Sequence, residues 1–518
     1  MHSRYILSFF FACMAFGILN AQPQTHPVSW SLDDEIDVNL SYVVLNEVNV
    51  AELMQVDEVV NQDKSVPYRF AYKHQVNLGL QNSGRWVTMS NGDRIWMLAI
   101  ESSNAHSLAV TFSELSLPKG SLLYLYKPDR SEVIGPISSE NNKDSGVFTT
   151  NPVGGDRLIL EYYEPYNARN DGELKIRSVA HAYRVVETES CDSELETSCN
   201  VNVICDDYLQ WISQRSAVVR LTVDDGTRWC NGVMLNNAAQ DGRPLLLVAL
   251  ADVVGDPESF VANFNFQSNT CSPSTRGKLK NSISGTTQLA VAPGAGLALL
   301  ELSRKPLDSW NVFHAGWDKS GGTPFEVTSI HYPKGDVKKI CSEQGMPNME
   351  VFHNQLVWEV QDWDIGTIQA GSVGAPLFDE FGRVIGSFLG GFGDCSTSNF
   401  SYFGKLSLAW DEFDKFLNPH NLNISKLNGL FPDFYVIDED ILKQNVAVFP
   451  NPANEHITII NENSEGLEFL TLYDASGRPV MGLNYTGGPV SVGHLERGTY
   501  FVVVQLESFQ VKRKLIIY

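Results

Sequence analysis

Basic residues are scarce in this chain: 38 Lys and Arg stand against 61 Asp and Glu, a formal net charge of −23. So acidic a surface repels a phosphate backbone, which excludes nucleic acid as a partner, and it reads as a device for solubility outside the cell. Beyond the first 21 residues no apolar run reaches the ~18 residues that a membrane-crossing helix needs, so no transmembrane segment is expected in the mature chain. Cysteine is missing from residues 22–190 and again after Cys395. Neither a CxxC pair nor an HExxH motif occurs, and no metal or other cofactor is called for. Lys and Arg are also absent from Val185 to Gln214.

What is present points to export and to β-structure. Arg4, the Phe-rich apolar run Ile6–Leu19 and the small Ala21 before Gln22 read as a secretory signal over residues 1–21. Its removal takes Cys13 and leaves seven cysteines: Cys191, Cys199, Cys205, Cys230, Cys271, Cys341 and Cys395. An exported chain meets an oxidising environment, where disulfides are the default, and an odd count leaves a thiol over. With 518 residues, 43% of them hydrophobic and 11% aromatic, the chain can fill about three packed domains.

Short apolar runs separated by turn residues divide it. Residues 22–190 alternate strands such as Leu108–Phe112, Leu122–Tyr126 and Leu158–Tyr162 with turns at Asn91-Gly92-Asp93, Pro118-Lys119-Gly120 and Gly154-Gly155-Asp156. A β-sandwich is expected there. The acidic stretch 191–198 reads as a linker. Residues 199–432 carry strands at Ala217–Val223, Leu245–Ala249 and Val384–Phe388 and a closing helical pattern near Leu408–Leu417. After a linker at 433–445, residues 446–518 offer strands at Ile457–Ile460, Phe469–Tyr473 and Tyr500–Gln505, enough for a small second sandwich. The class is all-β.

Two families are resembled. Val448-Phe-Pro-Asn-Pro452, Leu472-Tyr-Asp-Ala-Ser-Gly-Arg478, Leu495-Glu-Arg-Gly-Thr-Tyr500 and the ending Lys512–Tyr518 resemble the type A sorting domain of Bacteroidetes type IX secretion cargo. That resemblance implies the type IX machinery as partner, passage through periplasm and outer membrane, and a secreted or surface location. Cys199-Asn-Val-Asn-Val-Ile-Cys205, Cys230-Asn-Gly232, Phe264–Cys271, Ala315-Gly-Trp-Asp318, Ile330-His-Tyr-Pro333 and Gly371–Pro376 resemble lysyl endopeptidases of the trypsin-like fold. A double β-barrel with a C-terminal helix follows from it. Asn91–Trp96 and Gly155–Pro165 are similar to the pro-domain of such enzymes.

Within that resemblance the catalytic positions depart from the pattern. Ala251, in Leu247-Val-Ala-Leu-Ala-Asp252, stands where the family has His, and Asp252 where it has Cys. Gly296 precedes the strand Leu297–Leu302 in place of Asp, and Val373 replaces the serine. None of the three can supply a nucleophile, a base or an orienting carboxylate. The specificity positions carry Ser401 and Leu389 where the family has an acid and a His, which puts lysine binding in doubt. These departures lead to the expectation of a protein that is not an enzyme, a pseudoprotease with a peptide or protein ligand in the former cleft. The alternatives are an endopeptidase using non-standard residues, with Ser372 as displaced nucleophile, and a structural surface protein. His314 and His331 are read as structural. The resemblance also implies Cys199–Cys395 and Cys205–Cys271 bridges and leaves Cys191, Cys230 and Cys341 unassigned. A tether from Cys191 to Cys230 or Cys341, holding the N-terminal unit, is the working expectation.

Overall fold

The computed structural model describes residues 26–31, 40–185, 199–271, 277, 279–394, 397–431, 446–461, 467–475, 477–485, 487–506 and 510–518. The signal segment, both linkers, Cys191 and Cys395 lie outside the described residues.

Residues 40–185 fold as two stacked sheets. One centres on Arg94–Glu101 paired antiparallel with Arg157–Glu164; the other centres on Ser107–Ser116 and Glu173–Ala182. Trp96, Leu98, Ile100, Leu108, Val110, Phe112, Leu160 and Tyr162 fill the space between them. Burial of each such side chain stabilises the unit by about 1.5–3 kcal/mol. The helix Val50–Val60 was not anticipated. Its start is fixed by Asn49, whose side chain accepts from the Glu52 N–H.

Residues 199–431 fold on two large sheets that share one core, as the double barrel expected from the sequence would. The first sheet runs in the order Asn281–Ser284, Val261–Phe264, Val218–Val223, Arg228–Leu235, Leu245–Ala249, Leu297–Leu302, Thr286–Ala292, with antiparallel neighbours throughout. The second contains Lys339–Glu343, Val327–His331, Pro376–Asp379, Val384–Asp394, Thr397–Lys405 and Gln355–Gln361. One continuous apolar core, from Val218 and Leu247 to Ile340 and Phe403, joins the two. The helix Trp410–Leu417 closes the domain with Trp410, Phe413 and Leu417 turned inward. Cys205 and Cys271 are joined by a disulfide. Cys199 is also disulfide-bonded.

The sandwich is docked on the barrel. Tyr68–Arg69 adds an antiparallel strand to Arg228–Trp229. Arg177 bridges Asp225 and Asp256, and the Thr149 N–H reaches Ser284 Oγ at 3.0 Å. Residues 446–518 form three- and four-stranded sheets around Ile457, Leu470, Leu472, Val502 and Leu515.

Candidate peptide-binding cleft

Ala251 follows the strand Leu245–Ala249 in a 3-10 turn, Leu250–Asp252, and is exposed. The Leu250 N–H donates to the Gly296 carbonyl at 2.8 Å. Gly296 has φ +68°, and a Cβ added there would meet Gln355 Oε1 at 2.6 Å and Leu389 Cδ1 at 2.9 Å. Both the left-handed backbone and the crowding favour glycine at this corner. Val373 is fully buried and part of the barrel core. Its carbonyl accepts from the Asn231 N–H at 2.8 Å and from Asn231 Nδ2 at 3.1 Å. A Cβ on the next residue, Gly374, would strike Asp252 Oδ2 at 2.3 Å. Positions 251, 296 and 373 thus converge where the two sheets meet.

Beneath them sits a thiol–carboxyl pair. Cys230 and Asp252 are both buried: Cys230 Sγ lies 3.8 Å from the Leu221 carbonyl, and Asp252 Oδ2 accepts from the Ala249 N–H at 3.1 Å. Burial raises the Asp252 carboxyl well above the usual carboxylate range, against the opposing pull of the Ala249 N–H. The Cys230 thiol is pushed up for the same reason, with Asp252 adding to it. Cys341 is a second buried free thiol, near the Ser329 carbonyl. Cys230 and Cys341 are thus both free thiols and neither carries the expected tether, while Cys191 itself lies outside the described residues.

Ser372 Oγ and His331 Nδ1 lie 2.7 Å apart, both fully buried. Burial lowers His331 to about 3, helped by the positive charges of Lys339 and Lys64. The imidazole is neutral at physiological pH. Its Nε2 has no hydrogen-bond partner among the described residues. This is nucleophile–base spacing. His314 is also buried, which lowers it to about 4.

Near Ser401 the structure places a buried lysine that the sequence did not announce. Lys64, between the helix Val50–Val60 and the strand Tyr68–Arg69, is only 5% exposed. Its Nζ donates to the Ile368 carbonyl at 2.7 Å and to the Phe392 carbonyl at 3.4 Å. Ile368 O also accepts from Asn399 Nδ2 at 3.3 Å. Asn399 Oδ1 in turn accepts from Ser401 Oγ at 3.1 Å, and Ser401 Oγ accepts from Trp363 Nε1 at 3.1 Å. Ser401 is thus linked through Asn399 to the Ile368 carbonyl that Lys64 also meets. Leu389, 8% exposed, packs at the Gly296 corner instead. The acceptors around this lysine include backbone carbonyls, whose positions a sequence does not display. A burial signal at Lys64 was equally absent, since a single lysine in a loop reads as solvated.

Two segments match known families. Residues 194–404 match the lysyl endopeptidase C-terminal domain, and residues 447–518 match the secretion system C-terminal sorting domain. Similar solved structures include three proteases. A thermostable serine protease from an extremophilic microorganism shows 13% identity and a TM-score of 0.30, over 40% of this chain and 98% of that one. A protease domain from Magnetospirillum magneticum shows 13% identity and 0.27, over 39% and 97%. A protease from M. tuberculosis, in its active form, shows 12% identity and 0.28, over 44% and 92%. The endopeptidase match corrects the expectation that this chain is not an enzyme: residues 194–404 match the model of an enzyme domain although positions 251, 296 and 373 depart from its pattern. The sorting domain marks the chain for export to the cell surface or the medium. Among the described residues no helix is long and apolar enough to cross a membrane.

Proposed function

We propose that residues 199–432 recognise a lysyl side chain of a polypeptide in the protease cleft, in an exported protein whose residues 446–518 engage the type IX machinery. The reading divides the chain into a signal (1–21), a pro-domain-like sandwich (22–190), the barrel and the sorting unit. Its support is the Lys64 ammonium, seated on the Ile368 and Phe392 carbonyls. An ammonium is a compact three-donor group, and converging carbonyl dipoles suit it.

A second reading, peptide hydrolysis, is favoured by the Ser372–His331 spacing. It requires the buried hydroxyl to reach a substrate carbonyl. One experiment serves both. The full chain carrying Lys64→Ala is titrated with a capped peptide containing one lysine and with its norleucine analogue, and the mixtures are examined by mass spectrometry. Saturable binding of the lysine peptide, at least about tenfold tighter than norleucine, supports lysyl recognition; equal or absent binding overturns it. Cleavage after lysine, lost in Ser372→Ala, establishes the second reading, and its absence removes that reading.

A further inference from the structure

One face of the sorting unit's four-stranded sheet is not used by its own core. Leu470, Leu472, Val502 and Val504 belong to that core. The alternate residues Phe469, Thr471 and Val503 lie on the other face, yet all three are buried. What covers them is the barrel. The strand Pro479–Asn484 packs on the turn Asp206–Trp211. The Tyr473 hydroxyl meets Ser213 Oγ at 3.1 Å, and the Arg478 guanidinium lies 5.8 Å from the Phe381 ring centroid. The two surfaces do not close completely. Between them is a cavity of about 520 Å³, inside the range of about 300–1,000 Å³ that small-ligand sites occupy.

The lining has an unusual chemistry for this chain. The barrel contributes Arg215 from the helix Ile212–Ala217, Asn265 and Gln267 from the chain after the strand Val261–Phe264, and Asn311. The sorting sheet contributes Asn484 and Gln505, the register neighbours of Phe469 on its two sides. Trp310 and Tyr473 add aromatic surface. Among the described residues no Asp or Glu lines the cavity, in a chain that has 61 of them. Arg215 is acted on by burial alone, which lowers it to about 10, with no carboxylate beside it. A largely buried guanidinium without a counter-charge is destabilising. A carboxylate entering from solvent offsets that penalty through a bidentate pair.

An amide side chain presents both a donor and an acceptor, the complement of a hydroxyl that does the same. Several amides around one space therefore suit a ligand with several hydroxyls, and an aromatic face suits the apolar C–H face of a pyranose ring. With no carboxylate in the lining, nothing there holds an ammonium, so an amino acid or a peptide N-terminus is not matched. We propose that this cavity binds one acidic sugar residue, a pyranose bearing a carboxylate, with Arg215 on the carboxylate and the amides on the ring hydroxyls. Both units supply walls, so the sugar binds only while the sorting unit is docked, and its binding stabilises that docking in return. Loss of the sorting unit opens the site and releases the sugar.

The full chain is titrated by calorimetry with the methyl glycosides of glucuronic, galacturonic and N-acetylneuraminic acid. Methyl glucoside serves as the uncharged counterpart and glutarate as a carboxylate without a sugar. The expected result is saturable binding of at least one acidic glycoside, at least about tenfold tighter than methyl glucoside or glutarate. Arg215→Gln on the barrel side and Asn484→Ala on the sorting side should each weaken it at least about tenfold, with thermal melts to establish that each variant is folded. Asn484 is exposed, so its variant decides alone if Arg215→Gln does not fold. No saturable binding of any of the three acidic glycosides overturns the proposal. Equal binding of glutarate or of methyl glucoside overturns it too, as does binding that Asn484→Ala leaves unchanged, which places the sugar elsewhere.

Discussion

Phe70 of the sandwich lies flat on Trp229 of the barrel, ring centroids 3.8 Å apart and planes 8° from parallel. Beside it, Lys73 pairs with Asp224, and Arg177 pairs with Asp225 and Asp256. The Lys143 ammonium donates to the Glu258 carbonyl at 2.9 Å; burial lowers Lys143 to about 8. A face with a stacked aromatic centre and a charged rim has the anatomy of a specific interface.

That face should hold without the connecting chain. With a protease site placed in the 191–198 stretch and cut, the two units are expected to co-elute on gel filtration. Phe70→Ala removes the stacked centre and should weaken docking by about 2–4 kcal/mol, enough to separate the units at micromolar concentration. Separation of the native units on cutting would show that docking depends on the covalent link.

Val373 is core, not surface. Val373→Ser trades buried methyl groups for a hydroxyl and should destabilise the chain by about 1–3 kcal/mol in urea unfolding. A neutral or stabilising effect would mean that the side chain faces an open cleft.

Buried histidines set the response to acid. His331, His314 and His181 are lowered to about 3, about 4 and about 4, in each case first by burial. Their unfolded forms take up protons near pH 6.5 while the folded forms do not. The stability they contribute is complete above about pH 6.5 and is lost as pH falls from there toward 3–4. His331→Gln should flatten part of that slope, read as urea midpoints between pH 4 and 7. An imidazole proton shift of His331 that titrates near 6.5 in NMR would contradict its burial.

Export depends on the last unit. A chain ending before residue 446 is expected to accumulate in the periplasm, whereas the full chain reaches the surface or the medium. Fractionation and blotting decide; unchanged export of the shortened chain would count against the sorting role.

The sequence made some of this readable and hid the rest for physical reasons. Leu245–Ala249 and Leu122–Tyr126 form the anticipated strands because short β-branched and aromatic runs bounded by turns have few other outcomes. The helix Val50–Val60 was missed because its apolar residues do not form one clean face: Met54, Val56, Val59 and Val60 all remain exposed. Ala251, Gly296 and Val373 could be named because side-chain identity is written in the chain. Their convergence, and the pairing of Ser372 with His331 across 41 positions, depends on barrel topology. The ammonium site lay furthest from view. The acceptors there include the main-chain carbonyls of Ile368 and Phe392, and the ammonium belongs to a single loop lysine about 300 residues upstream.

The most direct measurement is the accessibility of one amine. The secreted native chain is treated briefly with an amine-acylating reagent at neutral pH, digested, and the modification at each lysine quantified by mass spectrometry. Lys64 is expected to be protected by at least about tenfold relative to half-exposed Lys175 and Lys426, and to become reactive on unfolding in urea. Acylation of Lys64 in the folded chain at the rate of those two lysines would contradict a lysyl side chain held in the cleft.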